Sequence, residues 1–278
     1  MIELPETCVL AEQAEQTLVG KVIKSAVAGF KPHAFALYSG DPSAYNAMLA
    51  GKAVTGAGVG AGQDCWGFIT QIFCDDMALG ISTPIKYHAP GEKPPKSHQL
   101  LVEFTDGSHI SCNVQMWGSM FCEPAADLDD PERFPNRNLP SPLEDAFDEA
   151  YFDKLWQNVK PNISAKGFLA TEQRIPGVGN GVVQDILFNA CLHPKRKLDT
   201  MNDRDRGLMF DSVKTTLKQM RDEGGRDTEK DLFNQNGGYK TILSKKTLAM
   251  PCPICGGGLT RQAFLGGNIY FCGICQPL

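Results

Sequence analysis

The chain has few of the features that mark membrane or secreted proteins. Its 278 residues contain no apolar run long enough to cross a bilayer. The acidic start, residues 1–6, lacks the basic segment and apolar stretch of a signal peptide. Six of the ten cysteines follow no disulfide-framework spacing: Cys8, Cys65, Cys74, Cys112, Cys122 and Cys191. These absences predict a globular, cytoplasmic protein with reduced thiols and no membrane partner.

The chain also lacks the strong excess of positive charge that would indicate a nucleic-acid partner. The net charge of −5 argues weakly against a polyanion. Residues 1–140 carry 9 basic and 16 acidic side chains, whereas residues 141–278 carry 18 and 16. Lysines and arginines in the second half cluster at 195–197 and at 240–246. A local basic face can therefore still bind phosphate.

The length favours two domains. Apolar residues at helical spacing predict a helix over residues 7–20. Short β-like runs separated by turns then continue to about Cys122, which predicts a β-sandwich or barrel. The clearest runs are 22–27, 67–73, 100–104 and 109–114, with a hairpin turn at 105–108.

The second half reads as helical. Ser141 and Glu144 form a capping-box pattern with proline between them, which predicts a helix from 141 to about 159. Further helices are predicted over 164–172, up to about 191, and over 203–223. The predicted organisation is α+β and bilobal: a β-sandwich domain at 1–125, a linker at 126–140, a helical domain at 141–230 and a zinc hairpin at 231–278.

The last 27 residues carry a metal-site pattern. Two Cys-x-x-Cys pairs are separated by sixteen residues, a spacing typical of a structural zinc site: Cys252, Cys255, Cys272 and Cys275. Four thiolates complete a tetrahedral shell and leave no open position for catalysis. The residues between the pairs predict two short strands around a tight turn at 266–268. A disulfide pair or unliganded thiols are the alternative.

A glycine-containing turn, Pro-Gly-Val-Gly-Asn, occupies residues 176–180. The helix that it opens would present free backbone N–H groups near Gly179 and Asn180, which can bind a phosphate oxygen. An ordinary helix–helix turn is the alternative reading of the same residues.

Together, these motifs resemble the formamidopyrimidine-DNA glycosylase and endonuclease VIII family. The helix-two-turns-helix segment with Pro-Gly-Val-Gly-Asn and the terminal Cys-x-x-Cys…Tyr-Phe-Cys-x-x-Cys-Gln are the specific parts of the resemblance. The start, Ile-Glu-Leu-Pro-Glu at 2–6, is similar to that family's Pro-Glu-Leu-Pro-Glu, and residues 49–54 resemble its Leu-x-Gly strand entry. The resemblance covers essentially the whole chain.

The resemblance implies a monomeric base-excision enzyme that clamps duplex DNA containing a damaged base or an abasic site, with one structural Zn²⁺. In such relatives the amino-terminal amine attacks the sugar C1′, a Schiff base forms, the base leaves and elimination cuts the strand. Glu3 matches the carboxylate that moves protons, and Glu6 matches the acid that supports the terminus. Solvated acids at a helix start are the alternative for both.

The chain departs from the family at its expected nucleophiles. Ile2 replaces the usual proline, and a large β-branched residue there resists removal of Met1, whose amine would be one residue out of register. The lysine expected after the Leu-x-Gly pattern falls at about Gly62, and residues 53–85 contain no Lys or Arg. Lys52 is the nearest substitute, with an exposed strand-entry charge as its alternative reading.

Two DNA contacts also depart from the family. The arginine of the zinc hairpin aligns with Gly267, so Arg261 on the opposing strand, or backbone N–H groups at 266–268 that include Asn268, are its candidate replacements. The wedge that fills the space of an extruded nucleotide reads Gln115-Met116-Trp117, with core packing as the alternative.

Two functions are consistent with this pattern. One is a DNA glycosylase with β-lyase activity through an amino-terminal amine or a lysine. The other is a catalytically impaired relative that binds abasic or distorted DNA without cutting it. A helix-two-turns-helix protein of ribosomal or topoisomerase type shares the glycine turn but neither the amino terminus nor the terminal zinc motif.

Overall fold

The computed structural model describes residues 2–63 and 67–278. Contacts group the chain into two compact units: Met1–Asn138 with Asp227–Gly237, and Leu139–Arg226 with Gly238–Leu278. The α+β, two-unit organisation agrees with the predicted fold class. The finer boundaries stay predictions, although residues 227–237 group with the first unit rather than with the helical domain and zinc hairpin. Among the described residues, no helix is both long and apolar enough to span a membrane.

The first unit begins with helix α1, Leu4–Leu18. Its onset precedes the predicted Thr7 because Pro5 occupies the first turn, where its missing N–H costs nothing. The apolar face of α1, including Leu10, Ala14 and Leu18, is fully buried in the core of this unit. A short helix, α2 at Tyr45–Leu49, packs beside the first strand.

Two sheets form the β part of this unit. Their strands are β1 Ile23–Ala28, β2 Ala36–Tyr38, β3 Val54–Ala61, β4 Phe68–Cys74, β5 Met77–Ile81, β6 Ile85–His88, β7 Leu100–Phe104, β8 His109–Cys112 and β9 Gly118–Pro124. A four-stranded sheet has the order β1-β7-β8-β6, and a five-stranded sheet has the order β2-β9-β5-β4-β3 with β2 and β9 parallel. Apolar residues from both sheets share one core, so the predicted sandwich is confirmed.

Strand β3 begins at Val54, where the Leu-x-Gly pattern at 49–54 resembles a strand entry, but the glycines of Val-Thr-Gly-Ala-Gly-Val-Gly-Ala carry no apolar alternation that would predict its extent. Antiparallel pairing with β4 along nearly its whole length holds this segment in a strand conformation. The glycines are partly explained by close packing, because a Cβ at Gly60 would lie 2.1 Å from the side-chain oxygen of Gln71.

The second unit contains four helices: α3 Glu149–Gln157, α4 Ala165–Ala170, α5 Val182–Asn189 and α6 Asp203–Asp222. Three of them agree with the prediction. The helix predicted from 141 to 159 is wrong at its start, because Ser141 and Glu144 close a single turn through reciprocal bonds of 2.9 and 3.2 Å. Phe147 is then fully buried, and α3 begins at the separate cap Asp148.

One fold prediction concerns the crowded glycine of β5. A Cβ at Gly80 would lie 2.1 Å from the ring of Phe121, which itself packs edge-on against Phe134. We expect Gly80→Ala to lower the free energy of unfolding by about 1–3 kcal/mol through overpacking, measured by chemical denaturation. Gly58→Ala in β3 is the matched control, since its Cβ would meet nothing closer than 4.0 Å. Equal stability of the two variants would contradict the packing argument.

Candidate nucleic-acid interface

The four predicted zinc ligands lie together. The Sγ atoms of Cys252, Cys255, Cys272 and Cys275 are all within 4.8 Å of one another. Two of the separations are 3.7 Å (Cys252–Cys275) and 3.5 Å (Cys255–Cys272). A tetrahedral Zn–S shell with bonds of about 2.3 Å has edges of about 3.8 Å, so this cluster fits a structural zinc site. The disulfide alternative is not supported, because the described cysteines are all free.

The zinc knuckles carry a two-stranded hairpin, β10 Leu259–Phe264 and β11 Gly267–Cys272. Phe264 pairs with Gly267, so the turn is the two residues Leu265 and Gly266, at φ 48° and 69°. Positive φ at both positions is the type I′ geometry that suits strand twist. The turn predicted at 266–268 is therefore one residue too late, and Gly267 and Asn268 belong to a strand rather than to a backbone nest.

The hairpin is fastened to the helical part of the same unit by Gln184 of α5, which is 3 % exposed. Its Nε2 donates to the carbonyl oxygens of Asn180 (2.7 Å) and Asn268 (3.1 Å). Its Oε1 accepts from the backbone N–H of Tyr270 at 2.9 Å. One side chain thus links the glycine turn to the middle of β11.

A second fastening holds the hairpin turn. Lys166 of α4 is 1 % exposed, and its Nζ donates to the carbonyl oxygen of Phe264 at 2.6 Å. Burial lowers the pKa of this ammonium from its ordinary value. A buried cation without a carboxylate partner is tolerated here because the carbonyls of the turn solvate it.

The predicted phosphate-binding residues come together at the end of the hairpin. Asn180 is exposed, and its side-chain atoms would lie 3.0–3.1 Å from a Cβ on Gly267. Arg261 is exposed on β10, and its Nε donates to Asn268 Oδ1 at 3.0 Å. The preceding turn has Gly177 at φ 80°, while the Gly179 carbonyl accepts from Val183 N–H. Asn180, Arg261 and Asn268 therefore form one polar patch, which we call the hairpin patch.

The basic residues predicted at 195–197 contribute one cation to the hairpin. Lys195 Nζ donates to Gln262 Oε1 on β10 at 2.6 Å. Arg196 instead pairs with Asp205 at 2.6 Å, so its charge is largely neutralised. Only part of that cluster is thus placed to contact a phosphate.

The amino-terminal residues lie inside the first unit. Ile2 is 3 % exposed, and its backbone nitrogen donates to the carbonyl oxygen of Ser82 at 3.1 Å. Glu3 and Glu6 are 8 % and 3 % exposed, so neither is the solvated helix-start acid of the alternative reading. Buried carboxylates are costly unless partnered, and both make interactions in this structure. Met1 lies outside the described residues.

A chain of hydrogen bonds connects this terminus to the predicted wedge. Ser82 N–H donates to the carbonyl of Ser119, and Ser119 N–H donates to Ser82 Oγ at 2.7 Å. Ser119 follows the wedge by two residues. Met116 is 73 % exposed and Trp117 49 % exposed, and Gln115 is also exposed, so the core-packing alternative is wrong.

Lys52 is not arranged as a nucleophile. Its Nζ forms an ion pair with Asp76, and the hydrogen bond to this carboxylate raises the pKa of the ammonium. A lysine nucleophile needs a lowered pKa. At Gly62, where the resemblance placed the expected lysine, the backbone N–H donates to the Gly67 carbonyl.

The first unit also contains a cavity of about 550 Å³ that was not predicted from the sequence. The segment 228–231 and the wedge residues Gln115 and Met116 line one part of it. Lys86, His88 and Asn113 line another part. The cavity therefore adjoins the wedge and offers both cations and amides.

Sequence reasoning missed Gln184 and Lys166, although each left a faint signal. Lys166 is the one charged residue of the apolar helix Ala-Lys-Gly-Phe-Leu-Ala. Gln184 stands four residues after Asn180, one helical turn along the same face. Their partners, more than eighty residues away in sequence, could not be read from spacing.

Known proteins of similar sequence and structure share this architecture. No family model matches the chain. The formamidopyrimidine-DNA glycosylase of Rhodopseudomonas palustris is 24 % identical over 306 residues, covering 99 % of this chain and 100 % of that protein. The crystal structure of Lactococcus lactis Fpg with abasic-site DNA has a TM-score of 0.81 at 24 % identity, covering 99 % and 100 % of the two chains. MutM (Fpg) from Thermus thermophilus has a TM-score of 0.77 at 19 % identity, covering 99 % and 98 %.

Gln184 yields a prediction of its own. Replacing it by Met preserves its volume but removes three hydrogen bonds, so we expect Gln184→Met to lower the free energy of unfolding by about 1–3 kcal/mol. Hydrogen exchange should show faster exchange of the Tyr270 amide. Gln219→Met on the exposed face of α6 is the control, since the side-chain amide of Gln219 donates to the exposed Glu223 on the same helix end. An unchanged Tyr270 exchange rate would show that Gln184 does not hold the hairpin.

Proposed function

Because the chain belongs to the formamidopyrimidine-DNA glycosylase family, we propose that it is a base-excision repair enzyme that binds duplex DNA at a damaged base or abasic site. We propose that it removes the base and cuts the strand by β-elimination. The observation that carries this proposal is the hairpin patch, in which Gln184 joins Asn180 to Asn268, and Arg261 donates to Asn268. Side-chain amides and one guanidinium in a fixed arrangement suit a sugar–phosphate backbone.

The chemical step in this proposal uses the amino-terminal amine. An α-amine has a pKa of about 8, so a useful unprotonated fraction exists near neutrality. It would bond to the sugar C1′ as the glycosidic bond breaks, and the resulting Schiff base permits elimination of the 3′ phosphate. Buried Glu3 is the candidate for moving protons to and from the sugar, with Glu6 supporting the terminus.

A second candidate function is binding of abasic or distorted DNA without cutting. The observation that favours it is Ile2, whose side chain is buried and whose nitrogen is bonded to Ser82. As long as Met1 is retained, that nitrogen is an amide and cannot attack C1′. Ion-paired Lys52 offers no substitute.

The proposal includes one structural zinc ion per chain, held by Cys252, Cys255, Cys272 and Cys275. The bound ion would fix the two knuckles and so the base of the hairpin. We further propose that the protein acts as a monomer in the cytoplasm, where thiolate ligands and free cysteines stay reduced.

Borohydride trapping on duplexes with an abasic site or an oxidised base separates the two candidates. We expect a covalent protein–DNA adduct on the amino-terminal peptide, because reduction fixes a Schiff base. Peptide mass then shows whether the amine belongs to Met1 or Ile2. DNA binding without any adduct would establish the second candidate instead.

The role of Glu3 is tested by Glu3→Gln. We expect strand cutting to fall roughly 100-fold or more, since a positioned acid–base group contributes about 10²–10⁴. Glu12→Gln, an exposed acid on the same helix, is the matched control. Equal cutting by both variants would rule out the proposed proton transfer.

The zinc site is tested by Cys255→Ser. We expect native mass spectrometry to show one zinc ion in the unmodified protein and none in this variant. Affinity for abasic duplex DNA should then be lost, because the hairpin base is no longer fixed. Cys191→Ser, which changes an exposed cysteine outside the cluster, should keep both zinc and DNA binding. Metal loss with unchanged binding would contradict the role of zinc.

A further inference from the structure

The loop between β1 and β2 exposes an unusual number of rings. Phe30 is 60 % exposed and Phe35 is 44 % exposed, and His33 lies between them. Trp117, 49 % exposed, stands beside this loop. We call Phe30, His33, Phe35 and Trp117 the aromatic row. Large apolar rings grouped on a surface mark an interaction site more often than single exposed residues do.

The rings of the row contact one another or a buried neighbour. Phe35 and Trp117 have centroids 4.3 Å apart at an angle of 33°, and His33 meets Phe35 edge-on at 6.2 Å. Phe30 stacks on buried His98 at 4.6 Å and 13°, so its outer face is left open. In the Phe30–His98 and Phe35–Trp117 pairs, an exposed ring therefore packs on a second ring.

Backbone bonds fix the loop that carries these rings. Lys31 N–H donates to the His98 carbonyl at 3.2 Å, and Gln99 Nε2 donates to the Lys31 carbonyl at 3.1 Å. Gly118 N–H donates to the Phe35 carbonyl at 3.0 Å. The row is thus anchored at both ends, to residues 98–99 and to the residue after the wedge. A preformed surface loses little conformational entropy when it binds.

Three lysines flank the row in sequence: Lys31 lies within its loop, and Lys93 and Lys96 shortly precede His98, on which Phe30 stacks. Lys31, Lys93 and Lys96 are exposed, and no ion pair involves them within residues 2–63 and 67–278. The nearby acid Glu92 lies 3.4 Å from His88. Unpaired lysines beside exposed rings complement a ligand with phosphates and flat apolar faces.

We propose that the aromatic row binds unpaired bases of single-stranded DNA by stacking, while Lys31, Lys93 and Lys96 contact its phosphates. Single-strand binding sites combine these two elements, and stacking tolerates any sequence because every base has a π-face. Phe30, His33 and Phe35 belong neither to the hairpin patch nor to the predicted wedge, so this binding goes beyond the proposed duplex function, although it shares Trp117 with the wedge. Since the row ends at Trp117, a strand opened at the wedge could continue onto it.

The test is fluorescence anisotropy with a labelled twelve-residue oligothymidine. We expect Phe30→Ala and Phe35→Ala each to weaken binding about tenfold, within the range for loss of one base stack. Phe233→Ala is the matched control, because Phe233 is a 46 % exposed ring of the same unit that contacts Tyr87 outside the row.

Salt dependence tests the cations. Lys31→Ala should reduce the slope of log Kd against log salt by about 0.7, the value for one lost phosphate contact on a single strand. Lys24→Ala should leave the slope unchanged, since Lys24 is 3.8 Å from Glu103 and outside the row.

Failure of this proposal is distinguishable from failure of the proposed function. Asn180→Ala should weaken binding of abasic duplex and leave oligothymidine binding unchanged. Absence of oligothymidine binding by the unmodified protein, or equal weakening by Phe233→Ala, would overturn the proposal. Tighter binding of the matching oligoribonucleotide, or self-association abolished by Phe30→Ala without DNA binding, would also overturn it.

Discussion

The proposed DNA contacts of the second unit depend on how a small hairpin is held. Strand β10 is almost wholly exposed, and only Ile269, Phe271 and Cys272 of β11 are buried. An isolated two-stranded hairpin is marginal in water. Two restraints compensate: the four thiols at its base, and the buried side chains of Gln184 and Lys166 towards its tip. The first restraint requires a metal, whereas the second is built into helices α4 and α5.

This attachment is consistent with the proposal that Arg261, rather than a side chain at position 267, supplies the cation of the hairpin patch. A side chain at Gly267 would begin 3.0–3.1 Å from Asn180, closer than ordinary contacts allow. The tip is drawn against the glycine turn by Gln184, so an arginine at 267 would require Asn180 to move. Arg261 projects from the opposing strand and reaches the same place through Asn268. Position 261 can therefore supply the positive charge without separating the hairpin from the turn.

Sequence patterns predicted the parts of the structure that local chemistry determines. The cysteine pairs, strands such as β7 and β10, and the long helix α6 all follow from spacing and periodicity. The start of β3 follows the Leu-x-Gly pattern at 49–54, but its extent could not be predicted, because its glycines carry no apolar alternation and the strand is held by pairing with β4. The helix start at Glu149 depends on the burial of Phe147, which is a tertiary effect. Gln184 and Phe35 were missed because their importance lies in contacts with distant residues.

The two candidate functions differ in which residue carries the free amino-terminal amine, Met1 or Ile2. Consecutive Cα atoms are about 3.8 Å apart, while attack on C1′ requires approach to roughly 3–3.5 Å. Ile2 is fixed by its buried side chain and by its bond to Ser82, so the chain cannot slide to bring a preceding amine into the place of the Ile2 nitrogen. Removal of Met1 would convert that nitrogen into an amine next to Glu3 without moving the backbone. In the proposed mechanism, attack by the Ile2 nitrogen therefore requires removal of Met1, whereas the proposed DNA binding by the hairpin patch and by the aromatic row does not.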